Sequence, residues 1–172
     1  MVTDETILRL FPPLRSAWAA EGEQASVWIS GRNAKRVLFG ALNIVTGHRI
    51  ALVRTKSSID NFIEFLELLR QRYGRRRIYL VLDRAGWHDH ARVIARATAL
   101  NIELLWLPKQ SPKLNPMDQL WRGLKHVIAA NRQYASIDEL AAFALRWLSG
   151  LTPTEALRKA AMRSPAFWLS HL

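Results

Sequence analysis

Apolar positions along this chain fall into two periods, and the switches between them outline a fold. Val37–Val45 and Arg49–Arg54 read as strands, and the short Gly-containing link Thr46-Gly47-His48 between them reads as a hairpin turn. The period then lengthens. Ile59, Phe62, Ile63, Leu66, Leu69 and Tyr73 recur at helical spacing behind Ser57 as the opening residue, with Asp60, Glu64 and Glu67 largely off that face. Ile78–Leu82 is a nearly continuous apolar run, as expected of a strand covered on both faces, and it ends in Asp83. A helix over Asp89–Leu100 and a second buried strand, Ile102–Leu107, follow.

Past the Pro- and Lys-containing loop Pro108–Asn115, three helices start near Asn115, Ser136 and Thr152. Ser136 with Glu139, and Thr152 with Pro153 and Glu155, carry capping-box grammar. Leu10 to Lys35 is punctuated by Pro12-Pro13, Gly22 and Gly31 and reads as irregular. No repeat, low-complexity tract or long linker interrupts the chain. The order of hairpin strands, helix, strand, helix, strand and helices predicts an α/β layer, a mixed sheet flanked by helices.

Charge adds a partner. Twenty-five Lys and Arg stand against fourteen Asp and Glu, a net of +11. Such a surplus favours a polyanion, because each neutralised phosphate releases a condensed counterion. Nucleic acid comes first, although ribosomal and membrane-surface proteins are also basic. The absence of Cys removes disulfides, thiol chemistry and cysteine metal sites, and suits a reducing cytoplasm. No apolar run approaches the roughly 20 residues of a membrane span, and the first residues lack a signal pattern, so a soluble, cytoplasmic protein without membrane contact is expected.

Three acids are poorly explained by core building. Asp83 stands at the carboxyl end of a central strand, where α/β sheets commonly place ligands. Asp4 closes the short Val2-Thr3 segment, and Asp118 lies in the first turn of the helix after Ile102–Leu107. Were those elements neighbours, three carboxylates would converge and repel unless a divalent cation held them. Hard oxygen ligands suit Mg²⁺ or Mn²⁺. A plainer reading stands beside this one. Asn115-Pro116 before Asp118 also describes a well-capped helix, like Ser57–Asp60, Ser136–Glu139 and Thr152–Glu155, and Asp83 also suits a turn before Arg84-Ala85-Gly86.

A resemblance separates the two readings. Leu107-Pro108-Lys109-Gln110-Ser111-Pro112-Lys113-Leu114-Asn115-Pro116-Met117-Asp118-Gln119-Leu120-Trp121-Arg122-Gly123-Leu124-Lys125 resembles the third catalytic motif of bacterial insertion-sequence transposases of the mariner-like superfamily. Leu80-Val81-Leu82-Asp83-Arg84-Ala85-Gly86-Trp87-His88 resembles their second motif. Thr3-Asp4-Glu5-Thr6, with Pro12-Pro13, Trp18 and Gly22 after it, resembles the first, and Phe39-Gly40-Ala41-Leu42 with Thr46-Gly47 also fits. The likeness runs in order to about Leu148, and Asp83 and Asp118 enclose 34 residues, the spacing typical of that superfamily.

The resemblance implies an RNase H-like catalytic domain over residues 1–150, N-terminally truncated, with a helical tail over 151–172. It implies that Asp4, Asp83 and Asp118 hold two Mg²⁺ or Mn²⁺ ions and catalyse phosphoryl transfer, cutting transposon-end DNA and joining it to target DNA. A homodimer on DNA, a nucleoid-associated location and a helix-turn-helix region outside these residues, separately encoded or lost, follow from the same likeness. Three departures accompany it: Asp rather than Glu at the third acid, Arg84 beside Asp83, and only Met1-Val2-Thr3 where a full strand normally precedes the first acid.

Candidate DNA contacts are Lys125, two helical turns after Asp118, and Lys109, Lys113 and Arg122 near the same edge. His88 is either a phosphate- or water-orienting group or a helix cap. Trp121 and Trp147 read as core, and Glu5 alternates away from Asp4 and is not counted as a ligand. Two other readings compete: a non-catalytic DNA-binding or assembly module of the same fold, and a structure-selective nuclease that cuts without joining.

Overall fold

The computed structural model describes residues 1–10, 33–109, 111–128, 134–162 and 164. Five strands make one sheet in the order β3-β2-β1-β4-β5. They are β1 (Val2–Arg9), β2 (Lys35–Leu42), β3 (Arg49–Arg54), β4 (Ile78–Leu82) and β5 (Ile102–Trp106). The first three are antiparallel neighbours, while β4 runs parallel to β1 and β5 parallel to β4. The expected mixed sheet is therefore present, with α1 (Ile59–Tyr73), α2 (Ala91–Ala99), α3 (Pro116–Ile128), α4 (Ile137–Gly150) and α5 (Pro153–Lys159) around it.

Strand alternation divides the core in two. Val37, Phe39 and Ala41 of β2 face α1 and α2, where Phe62, Phe65, Leu66, Leu69, Val93 and Ala97 are buried with Leu80 and Leu82 of β4. Leu38 and Leu42 face the other way, under Met117, Leu120, Trp121 and Leu124 of α3 and Leu140 and Ala144 of α4. Fully burying each Val, Leu, Phe or Met among these contributes roughly 1.5–3 kcal/mol. Ala156 and Ala160, beyond residue 150, are also fully buried in this second core, so α5 closes it.

Several expected boundaries move. β1 extends the Val2-Thr3 segment to Arg9, pairing along its whole length from Val2↔Leu42 to Arg9↔Lys35, and Asp4 sits inside a strand of eight residues. Its hydrophobic signal is weak because Thr3 and Thr6 occupy buried positions. β2 stops at Leu42 rather than Val45, since the Asn43 side-chain oxygen accepts from the N–H groups of Val45 and Thr46 and turns the chain. At Gly47 φ is 73°, and a Cβ there would lie 2.4 Å from the Pro153 carbonyl oxygen, so this turn requires glycine. Ser58, not Ser57, caps α1, accepting from Asn61 N–H. The caps at Ser136 and Thr152 are where the sequence puts them, the latter as a full capping box. Of the segment Leu10 to Lys35, residues 11–32 lie outside the described residues, and Lys35 belongs to β2.

Candidate active site

Parallel pairing between β1 and β4 is made at Val2 and Val81, where Val81 N–H donates to the Met1 carbonyl at 2.8 Å. Asp4 and Asp83 each stand two residues further along their chains. The strand pairing ends at that bridge, Asp83 follows the last residue of β4, and both acids open onto the same pocket. The third acid arrives from α3. Buried Asn115 caps that helix, its Oδ1 accepting from Met117 N–H at 3.1 Å. Its Nδ2 donates to the Thr3 carbonyl at 2.9 Å and so fixes the helix start against β1, one residue before Asp4. A pocket of about 390 Å³ results, lined by Asp4, Asp83 and Asp118 together with Arg84, Lys109 and Ser111.

The three carboxylates are not electrostatically equivalent. Burial, then repulsion from Glu5 and the other two acids, pushes Asp4 up to about 7, with a hydrogen bond from the Glu5 backbone opposing the rise. Asp83 is held below the usual carboxylate range by its hydrogen bond from His88, assisted by Ala85 N–H. Asp118 pairs with Arg122 one turn on, at 2.9 Å.

Among the described residues, no three His, Asp or Glu side chains are already gathered around a point where an ion would sit. Two of the acids are instead engaged by neighbouring side chains, Asp83 by His88 and Asp118 by Arg122. The donor set nonetheless suits a hard divalent cation: three carboxylates share one pocket, and Asp4 carries a penalty for ionising that a cation would reverse. Arg84, beside Asp83 in sequence, is turned elsewhere. Its guanidinium bonds Asp89 at 3.2 Å and lies 5.1 Å over the Trp106 ring, so it walls the pocket without neutralising Asp83.

His88 corrects the sequence reading. It is not the helix cap, because His90 caps α2. As a phosphate- or water-orienting group it has no free nitrogen, being 1% exposed with both ring nitrogens engaged by carboxylates. Nε2 lies 2.8 Å from Glu5 Oε1, and Nδ1 lies 2.8 Å from Asp83 Oδ1. Burial pulls the imidazole down, but the bonds to Asp83 and Glu5 more than reverse it, to about 9, so the ring is cationic and donates from both nitrogens. Glu5 points away from Asp4, as alternation requires. Its partnership with His88 was invisible in sequence, as was the Asn115 tether. An acid at an interior strand position was the only signal for the first.

The basic candidates separate. Lys109 lines the pocket, whereas Lys113 and Lys125 are exposed beyond it. Arg122, also exposed, is tied to Asp118. Trp121 is core: it is 2% exposed and lies over Gly40, the β2 residue opposite Asp4. A Cβ at Gly40 would come within 2.5 Å of that ring. Trp147 packs at the edge of the same core, with Lys159 Nζ 5.5 Å over its ring.

The family model described as DDE superfamily endonuclease matches residues 1–141. The chain is 29% identical over 139 residues to the insertion element IS630 uncharacterized 39 kDa protein of Shigella sonnei, covering 80% of this chain and 40% of that one. Among solved structures it is similar to the Mos1 mariner paired-end complex with Mn, at a TM-score of 0.73 and 18% identity, covering 92% of this chain and 50% of that one. The catalytic domain of Mos1 mariner transposase superposes with a TM-score of 0.64 at 15% identity, covering 92% of this chain and 74% of that domain. The fold is RNase H-like. This chain spans less than half of the Shigella relative and half of the full Mos1 chain.

Proposed function

Because the chain belongs to the DDE superfamily of endonucleases, we propose that it is the catalytic core of a metal-dependent DNA transposase. The observation that carries the reading is the convergence of Asp4, Asp83 and Asp118, from β1, the end of β4 and α3, on one pocket. Two Mg²⁺ or Mn²⁺ ions held by these carboxylates would activate an attacking water or 3′-hydroxyl and stabilise the leaving oxygen of a phosphodiester. The relatives crystallised with Mg and Mn support that choice of metal. In the reaction Asp83 is the fixed ligand, oriented by His88. Asp4 is the acid whose proton must leave before it can ligate. Asp118 would have to give up its Arg122 partner to ligate.

DNA is the substrate this chemistry calls for, and one Mos1 neighbour is a paired-end complex with the left transposon end. Lys109 at the pocket, with Lys113 and Lys125 outside it, would meet the phosphodiester backbone. The net charge of +11 would draw DNA to the chain irrespective of sequence. Among the described residues no helix is long and apolar enough to cross a membrane.

The competing reading, a non-catalytic module, rested on a shortened first strand and on Arg84 beside Asp83. β1 gains its length after Asp4, so the first point stands, but Arg84 is bound to Asp89 and does not neutralise Asp83. The experiment is Mg²⁺- or Mn²⁺-dependent nicking of DNA that carries the terminal repeats of the element, comparing the chain with Asp83→Ala. Metal-dependent nicking lost in the variant is expected. Equal inertness of both proteins, with DNA binding intact, would reject the enzyme. Strand-transfer products would distinguish a transposase from a nuclease that only cuts.

A further inference from the structure

Glu5 has no part in the pocket and is costly where it stands. It occupies an interior strand position opposite Phe39, and its side chain is only 10% exposed. An apolar residue there would serve the core better, since a buried carboxylate must be paired or hydrogen-bonded to be tolerated. What Glu5 does have is His88. That ring is enclosed by Phe62, with centroids 4.2 Å apart, and by Trp87 at 5.7 Å. It spans the distance between Glu5 and Asp83 as a rigid plate, bonded at one nitrogen to each.

We infer that Glu5 is a positioning residue for the candidate metal site, acting through His88 to fix the Asp83 carboxylate. This rests on the reading of Asp83 as a metal ligand. The bonds from His88 Nδ1 and Ala85 N–H both fall on Oδ1 of Asp83. Together they decide which carboxylate oxygen is turned towards the pocket that Asp83 lines. Without Glu5 the ring loses its Nε2 anchor and is held only by its ring neighbours and by Nδ1. That nitrogen is shared between Oδ1 and the backbone carbonyl of Asp83, the latter at 3.3 Å, so the bond to Oδ1 is less firmly fixed. Outer partners of this kind orient ligands, and their loss typically weakens metal binding roughly ten- to a hundredfold.

The test is Mn²⁺ affinity of the purified chain without DNA, read by electron paramagnetic resonance, with folding checked by circular dichroism. Glu5→Ala is expected to weaken Mn²⁺ roughly tenfold or more. Glu5→Gln, whose amide oxygen still accepts from Nε2–H, should recover most of that loss. A folded Glu5→Ala with wild-type affinity would overturn the inference, as would a Glu5→Gln no better than the alanine variant. Asp83→Ala separates this from the parent reading: if it too binds Mn²⁺ normally, the metal site itself is wrong. Should Glu5→Ala not fold, Glu5→Asp replaces it, because its shorter side chain cannot reach His88. Weaker binding by Glu5→Asp than by Glu5→Gln is then expected, and equal affinities overturn the proposal.

Discussion

Asn115 and Thr3, 112 residues apart in sequence, are joined by a 2.9 Å hydrogen bond from the amide Nδ2 to the backbone carbonyl. The same side chain caps α3 through its oxygen, so one residue both starts the helix of Asp118 and fastens it beside the strand of Asp4. Both functions depend on the two ends of an amide, one accepting and one donating.

Asn115→Ala should therefore cost more than an ordinary cap. Loss of the cap costs about 1 kcal/mol, and a buried carbonyl left unpaired adds about 1–3 kcal/mol. Asn115→Asp keeps the cap acceptor but loses the donor and adds a fourth carboxylate near the pocket. Urea unfolding should show both variants less stable than the parent, and an aspartate variant of full stability would show that the tether is dispensable.

Metal binding should be proton-linked. With Asp4 pushed up to about 7, the ion must displace a proton whenever the pH is below that value. Mn²⁺ affinity should rise about tenfold per pH unit up to near neutrality and then flatten. Titration calorimetry in buffers of different ionisation enthalpy counts the released proton directly. A flat profile across this range would argue against Asp4 as a ligand.

Without metal, stability should fall as pH climbs. His88 is raised from 6.5 to about 9, so the folded chain binds its proton more tightly than the unfolded chain does. That contribution is complete below the unfolded value and is lost as pH passes through the folded one. Asp4, raised from 3.8 to about 7, acts in the same direction at lower pH. Asp83 and Glu64, held below their usual range, act the opposite way only at pH below about 5, so thermal midpoints measured in chelator should decline from there to alkaline pH. His88→Gln should flatten the upper part of that decline.

Gly40 and Trp121 should behave as a coupled pair. A Cβ at Gly40 would meet Trp121 Cη2 at 2.5 Å and Met117 Cε at 2.8 Å. Gly40→Ala should cost roughly 1–3 kcal/mol through overpacking. Trp121→Phe removes the two indole atoms and leaves only the flexible Met117 methyl, so in the double variant the alanine should cost less. Additive losses in a double-mutant cycle would show that the crowding is relieved elsewhere.

On DNA, Lys125→Ala should weaken binding about equally for specific and unrelated sequences and lower the salt slope by about one. Arg122→Ala should change the slope less, because Arg122 already pairs with Asp118. Fluorescence anisotropy across a salt series measures both.

Much of the fold was legible because its signals are local. The apolar run Ile78–Leu82, the helical spacing from Ile59 to Tyr73 and the Ser136 and Thr152 caps each involve residues close along the chain. β1 was read only to Thr3 because its buried positions include Thr3 and Thr6, and a strand with polar inward residues carries little periodicity. The three acids were named from motif resemblance, since their local patterns suit capping and turns equally well.

The sequence by itself determined most of the strands and helices and the basic charge, all written in residue type and spacing, and it named the three candidate acids through motif resemblance. Only the tertiary structure decided that Asp4 and Asp83 line one pocket beside the Val2–Val81 bridge. It also decided that Asn115 holds α3 to β1, that Arg84 turns away to Asp89, and that His88 is buried between Glu5 and Asp83. The reason is physical: these relationships join residues tens to more than a hundred positions apart. Direction, burial and charge pairing at that range arise from packing the sheet between its helices, which no local pattern encodes.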